Sequence, residues 1–480
     1  MACGYWNAGV SDYEAAFHVT FRENPFGGKF TVACGLATAI DFLRAFHFDG
    51  TEIDYLASQR GNEGNSLFSA GFLDYLRGLR LACEIDAIPE GTLVFPNEPL
   101  IRVAGPIIQC QLLETALLNI LNFESLIATK AARVCLAAEN DPVIEFGLRR
   151  AQGVDGGLTA ARAAWVGGCA GTSNLQAGQR FGIPVSGTQA HSWIMFFDSE
   201  TEAFEAYAQA MPNNCVFLVD TYNSLDGVRH AIEVARQLHK NGHEMVGVRL
   251  DSGDRVALSI ETRRMLDDAG FTSAKIVCSG DLDEHIIADM KRRGAKIDMW
   301  GVGTKLTTGQ PDAALGGIYK LGAVRGPGGQ WQYRIKLSDE RAKTSSPGLL
   351  QVRRFQDRDG KFLADAIYEI DHAPGEPCTI VDPESEKKTQ IPPKTDYSDL
   401  LVPIFRKSDL VYQVPNLAGS REYTREQLSL LAPETSRSDN PRAYRVGLEK
   451  SLYELRSALI THAGEPQRQN EGADPSRSAE

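Results

Sequence analysis

Apolar residues recur at helical spacing from Leu36 to Phe46 and again from Leu67 to Leu79, and both segments are predicted helices. From Leu81 to Ala104 the pattern shortens to extended runs, Ile85–Ile88, Leu93–Phe95 and Leu100–Val103, parted by Pro89-Glu90-Gly91 and Pro96-Asn97-Glu98-Pro99. Short apolar runs between such turns predict antiparallel β-structure. Residues 106–138 return to the helical period, and Leu112, Leu113, Ala116, Leu117, Ile120 and Leu121 make the single stripe of a core helix.

From Asp141 to about Lys320 strand-like runs end in small or polar residues, and a helical segment often follows. The runs are Val143–Phe146, Ala164–Val166, Ile183–Val185, Val216–Val219, Met245–Val248, Lys275–Cys278 and Ile297–Trp300. The last four repeat at roughly 30 residues, the length of one βα unit. Every run ends near residues with chemistry to offer: Arg149, Gly171-Thr172, Thr188 with His191, Asp220, Arg249 with Asp251, Ser279 to Asp281, and Gly301 to Thr304. An open doubly wound sheet concentrates its site at one switch point. Functional residues on all strand ends fit a barrel, whose loops meet at one mouth. The expected fold class is therefore α/β, an irregular (β/α) TIM-like barrel. Residues 321–405 return to turn-rich β-structure, 424–462 read as helical, and the polar tail from Gly464 reads as disordered.

At 480 residues the chain exceeds a typical single core, so two or three domains are expected. The net charge of −12 argues against a nucleic-acid partner, yet a local basic pocket can still take an anionic substrate. Nine cysteines, an odd count with no C-x-x-C pair, are the usage of a reducing cytosol, so a cytoplasmic protein without zinc is expected. Met1-Ala2-Cys3-Gly4-Tyr5-Trp6 has neither the basic nor the apolar segment of a signal peptide. The apolar stretch from Thr31 to Phe48 is broken by Asp41 and Arg44, and no membrane association is expected.

His191 lies in Gly187-Thr188-Gln189-Ala190-His191-Ser192, a small-residue, hydroxyl-rich loop after Ile183–Ser186. A histidine so placed can bond to its surroundings, accept a phosphoryl group or move a proton. Gly247-Val248-Arg249-Leu250-Asp251-Ser252-Gly253-Asp254 ends a buried strand. Its arginine suits a carboxylate or phosphate, and its aspartates suit ribose hydroxyls or Mg²⁺. The bland alternative is a structural Arg–Asp pair beside an Asp helix cap. In Cys278-Ser279-Gly280-Asp281-Leu282-Asp283, Gly280 permits close backbone approach, and a helix begins near Asp283, which reads equally well as its N-cap. Gly301-Val302-Gly303-Thr304-Lys305 is no dinucleotide fingerprint but suits a small phosphate nest. Arg149 and Arg150 sit beside a glycine-rich loop, and three converging phosphate-suited loops point to a phosphorylated sugar.

These segments, together with Phe146-Gly147-Leu148-Arg149-Arg150-Ala151-Gln152-Gly153 continuing to Asp155-Gly156-Gly157, Val219-Asp220-Thr221-Tyr222, and Gly316-Gly317-Ile318-Tyr319-Lys320-Leu321, resemble the nicotinate phosphoribosyltransferase family in order and spread. The resemblance implies an N-terminal α+β domain (1–125) completed by a returning C-terminal β segment (321–405). These flank an irregular catalytic barrel (126–320), followed by a helical segment (406–462) and a disordered tail (463–480), in a homodimer with sites near the interface. It implies the joining of nicotinate to 5-phosphoribosyl 1-diphosphate, driven by ATP with Mg²⁺. His191 would be the phosphorylated residue. Thr188 and Arg249 would hold nicotinate, and Thr304 the phosphoribosyl donor. Arg149, Asp251, Gly280 and Asp281 would hold ribose, phosphate or Mg²⁺, with Gly301 and Gly303 beside them and His191, Asp251 and Arg249 central to catalysis. Family members usually carry a short Thr-, Asp- and Tyr-containing stretch just before a segment like Met1–Trp6. Here Met1 falls where that stretch should already have ended, so the expectation is a start recorded too late or a truncated chain with weakened nicotinate binding. A nicotinamide- or quinolinate-using relative, and a non-catalytic binding protein on the same fold, remain as alternatives.

Overall fold

A computed structural model describes residues 1–338, 340, 343–437 and 440–464. Of the expected tail, 463–480, residues 463 and 464 end a helix, and those from 465 onward lie outside the described residues. Among the described residues the strands form three large sheets and one two-stranded ribbon.

The first large sheet is antiparallel and runs Gln332–Tyr333, Ile318–Arg325, Glu14–Thr20, Ile101–Pro106, Glu84–Ala87, Val402–Arg406, Asp409–Leu410. Strands far along the chain thus return to amino-terminal ones, with Phe17 opposite Leu321 and Ile85 opposite Phe405. A second sheet lies wholly in the carboxyl-terminal part, where Phe362–Glu369 pairs antiparallel with Leu350–Gln356 and parallel with Val446–Glu449.

The third sheet carries the strand ends of interest. It is parallel throughout, in the order Gly171–Thr172, Val143–Glu145, Met299–Val302, Lys275–Cys278, Gly247–Leu250, Val216–Leu218. Its strands are buried on both faces and read as continuous apolar runs for that reason. Helices follow its strands, including Ser224–Lys240, Arg255–Asp268 and Glu284–Arg292. The strand ladders by themselves give an open parallel sheet within the expected α/β class: the two edge strands, Gly171–Thr172 and Val216–Leu218, do not pair. Ile183–Gln189 spans the gap instead, with Thr172 N–H donating to Pro184 O and Ser186 N–H to Thr172 O at 3.0 Å each, and Leu218 N–H to Gln189 Oε1 at 3.1 Å. Pro184 has no N–H to donate, and this run forms one bridge rather than a strand.

Three other expectations need correction. Ala164–Val166 ends a helix, Val154–Val166, whose alanines share a core cluster with Ala128, Ala131 and Ala132 of its neighbour. Residues 424–462 are not continuously helical, because the strand Val446–Glu449 interrupts them. Two strands begin later than their apolar runs. Each includes a glycine, and a Cβ on Gly247 would meet Lys275 O at 2.1 Å while one on Gly301 would meet the Phe146 ring at 2.6 Å. A strand interior there requires a residue without a side chain.

The predicted core helix spans Ile107–Ala138, 32 residues. Its first half, with Leu113, Leu117 and Leu121, packs into the core beneath the antiparallel sheet, and its second, with Ile127, Ala131 and Val134, into the core of the parallel sheet. It is apolar enough to cross a membrane by composition, but half of its most apolar window is buried inside the fold. Lys130 and Arg133 of this helix both donate to the buried Glu284, at 2.6 and 2.8 Å. That interaction ties the helix to the loop that follows Ser279.

Candidate functional site

At the carboxyl ends of the parallel strands four of the predicted residues meet. Arg249 is the hub. Its NH1 donates to Thr188 Oγ1 at 2.7 Å and to Gln189 O at 3.3 Å, its NH2 to Asp251 Oδ1 at 2.7 Å, and its Nε to Ser279 Oγ at 2.7 Å. The Phe146 ring lies 5.9 Å from the guanidinium. Ser279 also donates to Asp251 Oδ1. His191, half-exposed, shares a hydrogen bond of 3.1 Å between Nδ1 and Thr221 Oγ1 and turns Nε2 toward Asp251 Oδ2 at 3.8 Å. The ion pair and the helix cap of the bland reading are both present, since Asp254 caps Arg255–Asp268 and Asp283 caps Glu284–Arg292. They coexist with a half-buried histidine at an open strand end.

Two carboxylates are tuned in opposite directions. Burial works to raise the Asp251 carboxyl, but the Ser279 hydroxyl, Arg249 and His191 outweigh it and hold Asp251 below the usual carboxylate range. Glu145 is buried at the end of Val143–Glu145, and desolvation raises it above that range although Thr172 Oγ1–H, at 2.6 Å, and Gly147 N–H both donate to it.

Asp220 accepts from Asp251 N–H at 3.0 Å and from Ser252 Oγ–H at 2.6 Å through one oxygen, while its Oδ1 is buried without a partner. Gly280, at φ +87°, lets the chain pass where a Cβ would lie 2.2 Å from Asp251 O. Asp281 follows at φ 45°, exposed. Arg149 and Arg150 are exposed on the turn Leu148–Arg150 and have no side-chain partner among the described residues. Thr304 opens the short helix Thr304–Thr307. Arg149, Asp281 and Thr304 thus stand on strand ends of the same sheet but, among the described residues, form no side-chain hydrogen bond or ion pair with the His191 cluster. Gly301 and Gly303 are packing positions against Phe146.

Motif and spacing assign no individual role to Thr221, Ser279, Gln189 or Glu145. Glu145 carried a signal, an acid inside an apolar run; the others are small or neutral residues distinguished only by their contacts. A cavity of about 550 Å³ lies elsewhere, between the first and second sheets, lined by His18, Arg22, Lys320, Lys343 and Tyr444 among others. None of the predicted site residues lines it, and volume is a weaker guide than the converging polar groups at the strand ends.

Models of the nicotinate phosphoribosyltransferase N-terminal domain, family and C-terminal domain match residues 1–122, 142–324 and 350–456. The Bacillus subtilis nicotinate phosphoribosyltransferase is 40% identical over 94% of this chain and 91% of its own length, and the human enzyme 34% identical over 96% and 94%. The chain belongs to the nicotinate phosphoribosyltransferase family. The crystal structure of human nicotinic acid phosphoribosyltransferase superposes with a TM-score of 0.83 at 33% identity, covering 96% of this chain and 98% of that one. A nicotinate-nucleotide pyrophosphorylase from Pyrococcus furiosus shares the fold, with a TM-score of 0.66 at 23% identity. The human enzyme and this chain therefore share the mixed α/β architecture.

Proposed function

We propose that the His191 cluster joins nicotinate to 5-phosphoribosyl 1-diphosphate, giving nicotinate mononucleotide and diphosphate, with ATP hydrolysis coupled through a phosphohistidine at His191. A nicotinate phosphoribosyltransferase serves NAD biosynthesis, and membership of that family is established above. The observation that carries the finer reading is the setting of His191, fixed by Thr221 on one nitrogen and faced by Asp251 on the other, within one side chain of Arg249.

Each part of the reaction finds a group of the right charge. The carboxylate of nicotinate requires a cation, and Arg249 beside Thr188 supplies one in a half-buried setting, where a charge-assisted bond is strong. The ribose gains positive charge in the transition state and the departing diphosphate gains negative charge. Arg149 has its guanidinium uncommitted and is suited to a phosphate, and Gly280, Asp281, Gly301, Gly303 and Thr304 stand on neighbouring strand ends, where the phosphoribosyl donor would lie. Phosphorylation of His191 would add negative charge next to Asp251, shifting the balance of charge at the donor side; that is how ATP hydrolysis would be felt at the reacting centre.

The oxygens present suit Mg²⁺, a hard cation: Asp220, through its orphaned Oδ1, and Asp251, through the Oδ2 on the His191 side, would hold it. When bound, Mg²⁺ supplies charge neutralisation at the diphosphate. We place this unit in an irregular barrel, the Ile183–Gln189 span serving as its closure, and in a homodimer. Relatives named for nicotinate, together with an arginine committed to the base side, favour nicotinate over the nicotinamide and quinolinate alternatives. Incubation of the purified chain with γ-labelled ATP tests the reading: label on His191 that is lost on adding nicotinate and phosphoribosyl diphosphate is expected. An unlabelled protein that still turns over would confine the reading to the transferase reaction.

A further inference from the structure

Ser279 is buried within the cluster, 2% exposed, and offers a substrate almost no surface. Its side chain nevertheless closes a ring. Arg249 Nε donates to Ser279 Oγ at 2.7 Å, the Ser279 hydroxyl donates on to Asp251 Oδ1, and Arg249 NH2 returns to that same oxygen at 2.7 Å.

Two consequences follow from counting donors and acceptors. A guanidinium has five N–H groups in a rigid plane. Arg249 commits Nε to Ser279, NH1 to Thr188 and Gln189 O, and one NH2 hydrogen to Asp251. A single NH2 hydrogen is left, in a direction the ring dictates. Asp251 Oδ1 already accepts twice, which leaves Oδ2 for the side of His191 at 3.8 Å.

The serine is itself held. Its N–H donates to Leu250 O at 3.0 Å, its carbonyl accepts from Arg255 NH1 at 2.9 Å, and the same NH1 reaches Gly280 O. Even a Cβ on Gly301 would only reach van der Waals distance of the Ser279 Cβ, at 3.4 Å. Alanine fills the same space as serine up to Cβ, and the hydroxyl alone distinguishes them.

We infer that Ser279 is a positioning residue: its hydroxyl locks the plane of the Arg249 guanidinium and reserves Asp251 Oδ2 for the His191 side. This rests on the functional reading above, with Arg249 as the contact for nicotinate. Without the hydroxyl, Arg249 regains rotation about its last bonds and must be ordered again by each incoming nicotinate, so binding of the base suffers before the chemical step does.

The test is nicotinate saturation kinetics at saturating phosphoribosyl diphosphate, with equilibrium binding of radiolabelled nicotinate, for wild type, Ser279→Ala and Ser279→Thr. The expected result is a KM and a Kd for nicotinate about tenfold higher in S279A, the cost of one charge-assisted hydrogen bond, with kcat within about threefold of wild type. S279T keeps the hydroxyl and is expected within about threefold of wild type in KM, kcat and Kd. Unchanged KM and Kd in S279A overturn the inference. So does an S279T as impaired as S279A, since bulk rather than the hydroxyl would then decide. If S279A fails to fold, S279T decides alone, a tenfold rise in KM counting against. A wild-type protein that neither binds nicotinate nor makes product defeats the functional reading itself, and this inference with it.

Discussion

His191 Nε2 and Asp251 Oδ2 face each other across 3.8 Å. One residue begins a short helix beyond the span that bridges the sheet's edges, the other follows the strand Gly247–Leu250, and the fold alone brings them together. Asp251 is ionised in this setting and has its second oxygen anchored by Arg249 and Ser279. Asp251→Asn removes the charge while keeping the shape. We expect kcat/KM to fall by roughly 10²- to 10³-fold, the usual loss when one preorganised electrostatic group is removed, with the denaturation midpoint little changed. Steady-state kinetics beside a urea melt check this; a loss below about threefold would place Asp251 outside the reaction.

Gly280 answers to the backbone of that same aspartate. A Cβ would sit 2.2 Å from Asp251 O, at φ +87°. Gly280→Ala should therefore both strain its own loop, at about 1–3 kcal/mol, and push the Asp251 segment away from His191. Activity is expected to drop more steeply than stability. A variant with wild-type kcat/KM would show that this close approach is not used.

Glu284 forms buried ion pairs with two cations, Lys130 and Arg133. Removing it by Glu284→Ala leaves both uncompensated in the interior. The expected cost is about 3–5 kcal/mol, read as a lower urea midpoint at unchanged slope. Because Asp283 is its neighbour and caps the following helix, the Ser279–Asp283 loop should loosen as well. Hydrogen exchange of the Ser279–Asp283 amides reports that directly.

His18 links the two antiparallel regions and sets a pH dependence. Its Nε2 accepts from Leu350 N–H at 3.0 Å, and burial, followed by the nearby Arg102, lowers it to about 3. The unfolded chain, with a histidine near 6.5, takes up the proton first. Stability from this site is therefore full above pH about 6.5 and is lost as pH falls toward about 3. At pH 5 the loss is about 2 kcal/mol relative to pH 7. His18→Gln retains an acceptor for Leu350 N–H and does not titrate, so its urea midpoint should fall less between those pH values than that of wild type. Equal falls in the two proteins would remove His18 from the acid response.

Much of this fold is legible in the chain. The core helix, the antiparallel hairpins near Ile85 and the strands at Val143, Val216 and Lys275 follow from apolar spacing. So does the placing of His191, Arg249 and Asp251 at strand ends. Spacing misleads where glycine carries the packing: Gly247 and Gly301 belong inside strands because neighbouring backbone and ring leave no room for a side chain, and no periodicity reports that. It misleads at Ala164–Val166 because small apolar residues serve a close helix–helix contact as readily as a strand. The ring through Ser279 was out of reach for a different reason. Its partners lie on adjacent strands, and only register, Val277 opposite Arg249, brings them together.

The most direct measurement is formation of nicotinate mononucleotide by the purified chain from nicotinate, phosphoribosyl diphosphate and Mg²⁺, with and without ATP, for wild type and His191→Ala. Wild type is expected to make product that rises with ATP, and H191A to make less and to show no response to ATP. No product from a folded wild-type protein, or an H191A variant stimulated by ATP as strongly as wild type, would contradict the assignment of the reaction and of its phosphorylated residue respectively.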